Sequence, residues 1–137
     1  MIKNKCCCKK RSATKRFNPN KWGLISGHVD GDETLIEAAI RETHEEICLL
    51  LNESDLHSFC ERELKQEDVN SHFRCFFYVN SNKDIKDFVI QKEEVSEIRW
   101  FDIDNVIDMI NSGDTTITFD KRRLYVFEKL KEIVYNS

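Results

Sequence analysis

Apolar residues recur at helical spacing in the segment that follows a glycine-bearing loop, and they predict a helix from about Thr34 to Cys48 or a little beyond. Its expected buried stripe consists of Ile36, Ala39, Ile40, Thr43 and Ile47. Ala38 and the glutamates near the end of this segment fall away from that stripe. We therefore expect a helix whose core side and carboxylate side are separate.

Shorter apolar stretches predict the remaining elements. Strands are expected at Cys6 to Cys8, Trp22 to Ile25, Ser58 to Leu64, His72 to Val79 and Glu97 to Phe101. A second helix, capped by Asp102 or Asp104, runs through Ile110 and ends near Gly113. A third helix covers about Lys121 to Tyr135. Because the strands are short and their connections long, we expect an α/β fold with a mixed sheet between helices.

Length and composition narrow the class of protein. A chain of 137 residues, 40% of them apolar, predicts one domain, residues 1–137, with a core of its own. The net charge of −4 gives no broad basic excess, which argues against a nucleic-acid partner. Neither an apolar leader nor an apolar run of about 18 residues occurs, so we expect a cytoplasmic protein with no membrane association.

The six cysteines are expected to act mainly as small apolar residues with reduced thiols. None of them shows the C-x2-C spacing that is typical of zinc sites. Cys6, Cys7 and Cys8 are consecutive, and side chains alternate on an extended chain, so the three cannot converge on one centre. The cysteine pattern therefore argues against a zinc site.

The basic stretch from Lys9 to Lys21 (KKRSATKRFNPNK) has two interpretations. It is either a loop solvated by water or a cationic arm beside an anionic substrate. The sequence leaves both open, because a choice between them requires that a phosphate site be placed nearby.

Three carboxylates on the first predicted helix form an unusual group. Glu42, Glu45 and Glu46 are spaced at i, i+3 and i+4, which places them on one face. At about 4 Å and an effective dielectric near 20, each pair of like charges costs about 4 kcal/mol. A surface helix gains nothing from this arrangement, whereas Mg²⁺ binds carboxylate oxygens and bridges them to phosphate oxygens. The spacing therefore predicts a site for a hard divalent cation.

The segment from Gly27 to Leu49 (GHVDGDETLIEAAIRETHEEICL) resembles the Nudix box, G-x5-E-x7-R-E-U-x-E-E-x-G-U, where U is a bulky apolar residue. The residues that match at the required spacing are Gly27, Glu33, Arg41, Glu42, Glu45, Glu46 and Leu49. Thr43 stands at the first U position and Cys48 at the last glycine. The segments Trp22 to Asp30 and Glu93 to Phe101 also resemble the family, and residues 9–30 are similar to its isopentenyl-diphosphate-isomerase-like branch.

The resemblance implies a set of metal ligands. Glu42 and Glu46 are expected to be the main ligands, with Glu45 as a third carboxylate on the same face. The main-chain carbonyl of Ser26 is expected to complete the coordination. Glu94 is expected to be an extra ligand or the general base, in preference to the nearby Glu93 and Glu97.

The resemblance also implies roles beside the metal. Arg41 would orient a carboxylate of the box through a charge-assisted hydrogen bond. Glu33 would hold the loop or a water molecule near the metal. Gly27 and His28 lie where the loop approaches the substrate or metal, although local packing is the alternative for His28. The expected catalytic group is therefore Arg41, Glu45, Glu46 and Glu94.

For function, the resemblance implies a hydrolase that depends on Mg²⁺ or Mn²⁺ and acts on a small phosphoanhydride. Its substrate would be a nucleoside diphosphate linked to another group, which a metal-activated water attacks. One alternative is a non-catalytic module that binds a nucleotide or diphosphate. The other is an isomerase of isopentenyl diphosphate, but such isomerases need a catalytic cysteine and histidine ligands before the box, and no histidine precedes His28.

Two departures from the family pattern give further expectations. Cys48 replaces a glycine, and a β-carbon in the left-handed conformation costs about 1–2 kcal/mol, so we expect the helix to continue to about Leu51 and to end at Asn52. The family also has strands before the position of Cys6. We therefore expect either a late recorded start or a missing edge strand, whose open edge would allow a homodimer.

Overall fold

The computed structural model describes residues 5–16, 18–25, 29–66, 69–81 and 85–136, of which 60–66, 69–75 and 85 are described by their backbone alone. The strands are β1 (Lys5–Arg11), β2 (Trp22–Gly23), β3 (His57–Gln66), β4 (Val69–Tyr78) and β5 (Val95–Asp102). The α-helices are α1 (Leu35–Ile47), α2 (Ile103–Ser112) and α3 (Leu124–Tyr135), and short 3₁₀ turns occur at Glu53–Asp55, Ile85–Asp87 and Lys121–Arg123. Every predicted strand and helix is present, although β1 is longer and β2 shorter than expected. No helix in these ranges has both the length and the apolar character needed to cross a membrane.

The strands form two sheets, one with the order β2-β1-β5 and one made of β3 and β4. All pairings within these sheets are antiparallel. Along β5, β1 runs from Lys5 opposite Asp102 to Arg11 opposite Val95. The parallel component of the predicted mixed sheet is an isolated bridge between Trp22 and Ile117.

Alternation along β1 places consecutive cysteines on opposite faces of the three-stranded sheet. Cys6 and Cys8 are buried in the larger core cluster, together with residues of α2 and α3. Cys7 packs against the smaller cluster, which contains Ile47 of α1. The sheet therefore lies between α1 on one side and α2 with α3 on the other, which confirms the expected α/β/α arrangement.

Helix α1 begins at a capping box. The Thr34 hydroxyl accepts a hydrogen bond from the Glu37 N–H at 3.2 Å, and the Glu37 carboxylate accepts one from the Thr34 N–H at 3.0 Å. This exchange satisfies two backbone donors that would otherwise lack partners at the start of the helix. The box accounts for the agreement between the predicted and observed start of α1.

The predicted end of α1 near Leu51 is wrong. The helix ends at Ile47, and Cys48 has φ 56° and ψ 30°, which is the left-handed conformation. Two contacts offset the cost of a β-carbon there. The Cys48 N–H donates to the His44 carbonyl at 2.9 Å, and the turn lets Leu49 pack against the smaller core cluster.

The predicted separation of α1 into a core side and a carboxylate side is also wrong. The buried residues of α1 are Ala38, Glu46 and Ile47. The other members of the expected stripe are only partly buried, namely Ile36, Ala39, Ile40 and Thr43. The helix is therefore turned so that one of its carboxylates enters the interior, where a basic residue of β1 pairs with it.

Candidate active site

The candidate site lies where α1, β1 and the turn before β5 meet. The Gln91 N–H donates to the Glu46 carbonyl at 3.1 Å, which ties this turn to the end of α1. The Ser12 N–H donates to the Glu94 carbonyl at 3.1 Å, which ties the same turn to the residue after β1. These two hydrogen bonds bring carboxylates from the helix and the turn beside the basic residues of β1 and the following loop.

Arg41 binds several carboxylates at once, and we call this group the arginine cluster: Arg41, Asp30, Glu33, Glu42 and Glu45. The guanidinium forms a two-pronged contact with Glu33, from Nε at 2.8 Å and from Nη2 at 3.0 Å. Its Nη1 donates to Glu42 at 2.9 Å and to Glu45 at 3.2 Å. Asp30 is 3.3 Å from Nη2. Arg41 thus makes the contacts with box carboxylates that its expected orienting role requires.

Glu33 links the loop before α1 to the helix. The hydrogen bonds from Arg41, followed by one from the Asp30 N–H at 2.9 Å, hold the pKa of Glu33 below its usual value. The hydrogen bond to Glu33 also raises the pKa of Arg41. Glu33 thus contacts both the loop and the helix, and its expected role beside the metal stays a prediction.

Glu46 is paired in the interior with a lysine of β1, and we call these two residues the buried pair. The Lys9 ammonium donates to the Glu46 carboxylate, and the residues are only 4% and 3% exposed. Two positions along β1 from Cys7, Lys9 lies on the face of the sheet that is covered by α1. Glu46 thus differs from Glu42 and Glu45, which contact Arg41.

Glu94 is bound from the loop that follows β1. The Lys15 ammonium donates to the Glu94 carboxylate, which is about half exposed at 48%. The Lys15 hydrogen bond lowers the pKa of Glu94, and the charges of Lys9 and Arg11 add to this effect. Lys9 and Lys15 thus contact candidate site carboxylates, so the interpretation of the whole basic stretch as a solvated loop is wrong.

The remaining expected site residues divide into two groups. Ser26, Gly27 and His28 lie outside the described residues. Glu93 is exposed, and Glu97 pairs with Arg99 at 2.8 Å. Of the three acidic candidates before and within β5, Glu94 is thus the one that contacts a lysine of the basic stretch.

A cavity of about 450 Å³ opens next to the box helix. Its walls come from α1, β1, β5 and the β3–β4 sheet and include Leu24, Ala38, Glu42, Phe59, Phe88 and Trp100. Most of the lining side chains are apolar or aromatic, and Glu42 joins this space to the arginine cluster. The cavity has the size and lining of a site for a small organic molecule.

The family model for the NUDIX domain matches residues 3–122 of the chain. This protein belongs to the Nudix family. The match includes the box helix, the basic residues of β1 and the turn with Glu94. The likeness to the isopentenyl-diphosphate-isomerase-like branch stays a prediction.

Solved structures with the Nudix fold resemble the chain over most of its length. The MutT protein from Methanosarcina mazei Go1 is 21% identical with a TM-score of 0.67, over 93% of this chain and 83% of that one. The Ap4A hydrolase of C. elegans, in a binary complex, is 19% identical with a TM-score of 0.62, and the match covers 97% of this chain and 89% of that one. A third structure is the bifunctional NMN adenylyltransferase/ADP ribose pyrophosphatase of Francisella tularensis, complexed with AMP and a Mn ion. It is 17% identical with a TM-score of 0.61, and the match covers 96% of this chain and 39% of that one.

These identities show a shared fold. A search of curated proteins gives no significant match. The family match, together with the hydrolases among the structural neighbours, supports the predicted enzyme class of a Nudix pyrophosphohydrolase.

The donor set of the Nudix helix suits a hard divalent cation, because three carboxylates lie within about one helical turn. Among the described residues, however, no three Asp, Glu, His or Cys side chains converge on one point. Arg41 holds Glu42 and Glu45, and Lys9 holds Glu46. The ligand chemistry therefore fits Mg²⁺ or Mn²⁺, and an ion that binds there must replace these cations as the partner of the carboxylates.

Sequence reasoning did not single out Lys9, Lys15 or Asp30 as site residues. A signal for Lys9 was present, because it comes directly after the predicted strand Cys6 to Cys8 and shares a face with the apolar Cys7 if that strand continues. A lysine on a buried face needs a partner, which would have suggested a carboxylate on the opposing element. Lys15 and Asp30 lie in loops, where no periodicity constrains their partners.

Proposed function

We propose that this Nudix protein is a metal-dependent hydrolase that cleaves the diphosphate linkage of a nucleoside diphosphate joined to another group. The observation that carries this proposal is the position of Glu42, Glu45 and Glu46 on one turn of α1, beside an apolar cavity that Glu42 lines. The neighbours named as an Ap4A hydrolase and an ADP ribose pyrophosphatase support a nucleotide substrate. The Mn ion in the latter supports a divalent metal.

In the proposed mechanism, each residue has a task set by its contacts. A bound Mg²⁺ or Mn²⁺ would clamp the diphosphate and lower the pKa of a water molecule. Glu42, Glu45 and Glu46 would hold the ion, and Arg41 holds two of these carboxylates in place. Glu94, whose pKa is lowered by the Lys15 hydrogen bond, would accept the proton of the attacking water as a carboxylate. The water oxygen bonds to phosphorus as the bond from that phosphorus to the bridging oxygen breaks, and the second phosphate leaves with that oxygen.

We place the group that is joined to the diphosphate in the cavity beside Glu42. Its aromatic walls, which include Phe59, Phe88 and Trp100, favour a flat or apolar group. The main-chain carbonyl of Ser26 is proposed as a further metal ligand, and Gly27 and His28 as substrate contacts. We further propose a cytoplasmic location, and association of two copies through an open sheet edge as a separate hypothesis.

A panel of nucleoside diphosphates linked to different groups, incubated with Mg²⁺ and with Mn²⁺, tests this function through the release of phosphate-containing products. Glu42→Gln removes a ligand charge at a position that is partly open to solvent. It is expected to lower turnover by about 100-fold or more, because the metal contributes several kcal/mol to the transition state. Glu97→Gln removes the same charge from a residue paired with Arg99 and should leave turnover within about twofold. Full turnover by the Glu42→Gln variant would contradict the metal assignment.

The second candidate function is a non-catalytic module that binds a nucleotide or diphosphate. The observation in its favour is that the Lys9 ammonium already pairs with Glu46. Such a module would bind members of the same panel with micromolar or better affinity and release no product. Product release that depends on Glu42 would exclude it.

A further inference from the structure

Lys9 occupies a position where the fold would ordinarily place an apolar residue. It lies on β1, on the face covered by α1, and only 4% of its surface is exposed. Cys7, two residues earlier on the same face, packs against the apolar cluster around Ile47. Because an ammonium loses its hydration when it is buried, a lysine persists in such surroundings only beside a negative partner.

The partner of Lys9 is a residue that the Nudix box assigns to the metal. Lys9 donates to Glu46, which is 3% exposed, whereas Glu42 and Glu45 make hydrogen bonds to Arg41. Arg41 lies on the same helix as its partners and is partly open to solvent. Lys9 instead comes from a different element and meets Glu46 in the interior.

The strand that contains Lys9 also leads to the second carboxylate proposed for the site. The Ser12 N–H, just beyond β1, donates to the Glu94 carbonyl at 3.1 Å. Lys9 and Glu94 therefore belong to segments that are hydrogen-bonded to each other beside α1.

We propose that the Lys9 ammonium is a resident cation of the Nudix site, which competes with a divalent ion for Glu46. An ion approaching Glu46 must compete with an ammonium that is already in contact and must overcome its repulsion in an environment of low dielectric. Lys9 therefore lowers the affinity of this position for divalent cations. The inference rests on the proposed role of Glu46 as a metal ligand.

The test is Mn²⁺ binding to the purified protein in the absence of substrate, followed through the electron paramagnetic resonance signal of free Mn²⁺. Lys9→Met keeps the length of the side chain and removes the charge. We expect this variant to bind Mn²⁺ at least about tenfold more tightly than the unmodified protein, or to bind one additional ion.

Lys10→Met is the matched control. It makes the same change on the neighbouring residue of the same strand, whose side chain points to the opposite face of the sheet, and it alters the net charge equally. Its Mn²⁺ affinity is expected to stay within about twofold of the unmodified protein. Lys9→Arg, which keeps the charge, should also bind Mn²⁺ as the unmodified protein does. Equal Mn²⁺ binding by Lys9→Met and Lys10→Met would overturn the proposal.

Lys9→Met takes the ammonium away from the buried Glu46, so this variant has a second readout. If it is unfolded without metal, Mn²⁺ should restore its circular dichroism spectrum, because the ion then replaces the ammonium. A variant that stays unfolded at millimolar Mn²⁺ would count against the proposal. Since no substrate is present, failure here is distinguishable from failure of the hydrolase proposal, which product release decides.

Discussion

Two cations hold the carboxylates of one helix, and they do so in different surroundings. The Arg41 side chain is 25% exposed and contacts the carboxylates of Asp30, Glu33, Glu42 and Glu45. The Lys9 side chain is 5% exposed, and its partner in the buried pair is Glu46. The arginine cluster can exchange partners with water, whereas the buried pair cannot separate without leaving a charge in the interior. The Nudix helix therefore holds Glu42 and Glu45 in contacts that can exchange with water and Glu46 in a contact that cannot.

Breaking the buried pair should have the largest effect. Glu46→Gln or Lys9→Met alone is expected to lower the free energy of unfolding by about 3–5 kcal/mol, because each removes one charge of a pair that is buried in the interior. Lys9→Met combined with Glu46→Gln removes both charges and should recover part of that loss. Urea denaturation of the four proteins measures this cycle. Single variants that cost less than about 1 kcal/mol would show that the pair is solvated.

This prediction changes the interpretation of Glu46→Gln. On the outward carboxylate face that the sequence predicts, Glu46→Gln would remove a ligand charge and leave the fold intact. The structure places Glu46 in the interior, so the variant affects stability as well as metal binding. Glu42→Gln is therefore the cleaner test of catalysis.

Arg41→Lys tests the role of the arginine cluster. Lysine keeps the positive charge but cannot form the two-pronged contact with Glu33 while reaching Glu42 and Glu45. We expect turnover to fall by about 10- to 100-fold, because the ligands lose their orientation, and stability to fall slightly. Arg99→Lys, at the exposed pair with Glu97, is the control and should leave both quantities nearly unchanged. Equal turnover by the two variants would contradict an orienting role for Arg41.

The pH dependence of stability measures how much Glu33 contributes to the arginine cluster. The Arg41 hydrogen bonds lower the pKa of Glu33 in the folded protein. The stabilisation from this residue is therefore present above the pKa of an unfolded glutamate, about 4.3, and is lost as the pH falls through the lower folded value. Glu33→Gln should lose less stability than the unmodified protein between pH 7 and the acid range. Parallel curves from urea denaturation across that range would contradict this account.

The smallest predicted effect concerns the end of α1, next to the buried pair. Cys48 has the left-handed conformation at φ 56°, which glycine adopts without the cost of a β-carbon. Cys48→Gly is expected to raise the free energy of unfolding by about 0.5–1 kcal/mol. Cys48→Ala keeps the β-carbon and should bring no gain, so thermal denaturation of the two variants separates backbone strain from loss of the thiol.

The features that could be predicted from the sequence are local. The capping residues Thr34 and Glu37 are three positions apart, and the box carboxylates share one helical turn, so spacing alone places them. Gly113 likewise ends α2 with φ 72°, as predicted. Such features depend on neighbours in the chain.

The features that could not be predicted depend on distant contacts. Lys9 and Glu46 are separated by 37 positions, and no periodicity within α1 shows that its inward face will contain a carboxylate. The end of α1 at Cys48 likewise depends on the packing of Leu49 in a cluster with Val95 and Ile98 of β5. Tertiary packing overrides local preference at both places.

The rate at which a buried cysteine of β1 is alkylated reports how often the sheet opens. Burial raises the pKa of Cys7 to about 12, and the Cys6 thiol together with burial raises the pKa of Cys8, so neither thiol yields appreciable thiolate at neutral pH. Alkylating reagents attack the thiolate, and they can reach the Cys8 sulfur, which is 1% exposed, only when β1 leaves its neighbours. The rate at which iodoacetamide labels Cys8 therefore measures how often the strand that holds Lys9 detaches, in the native protein and without any added probe.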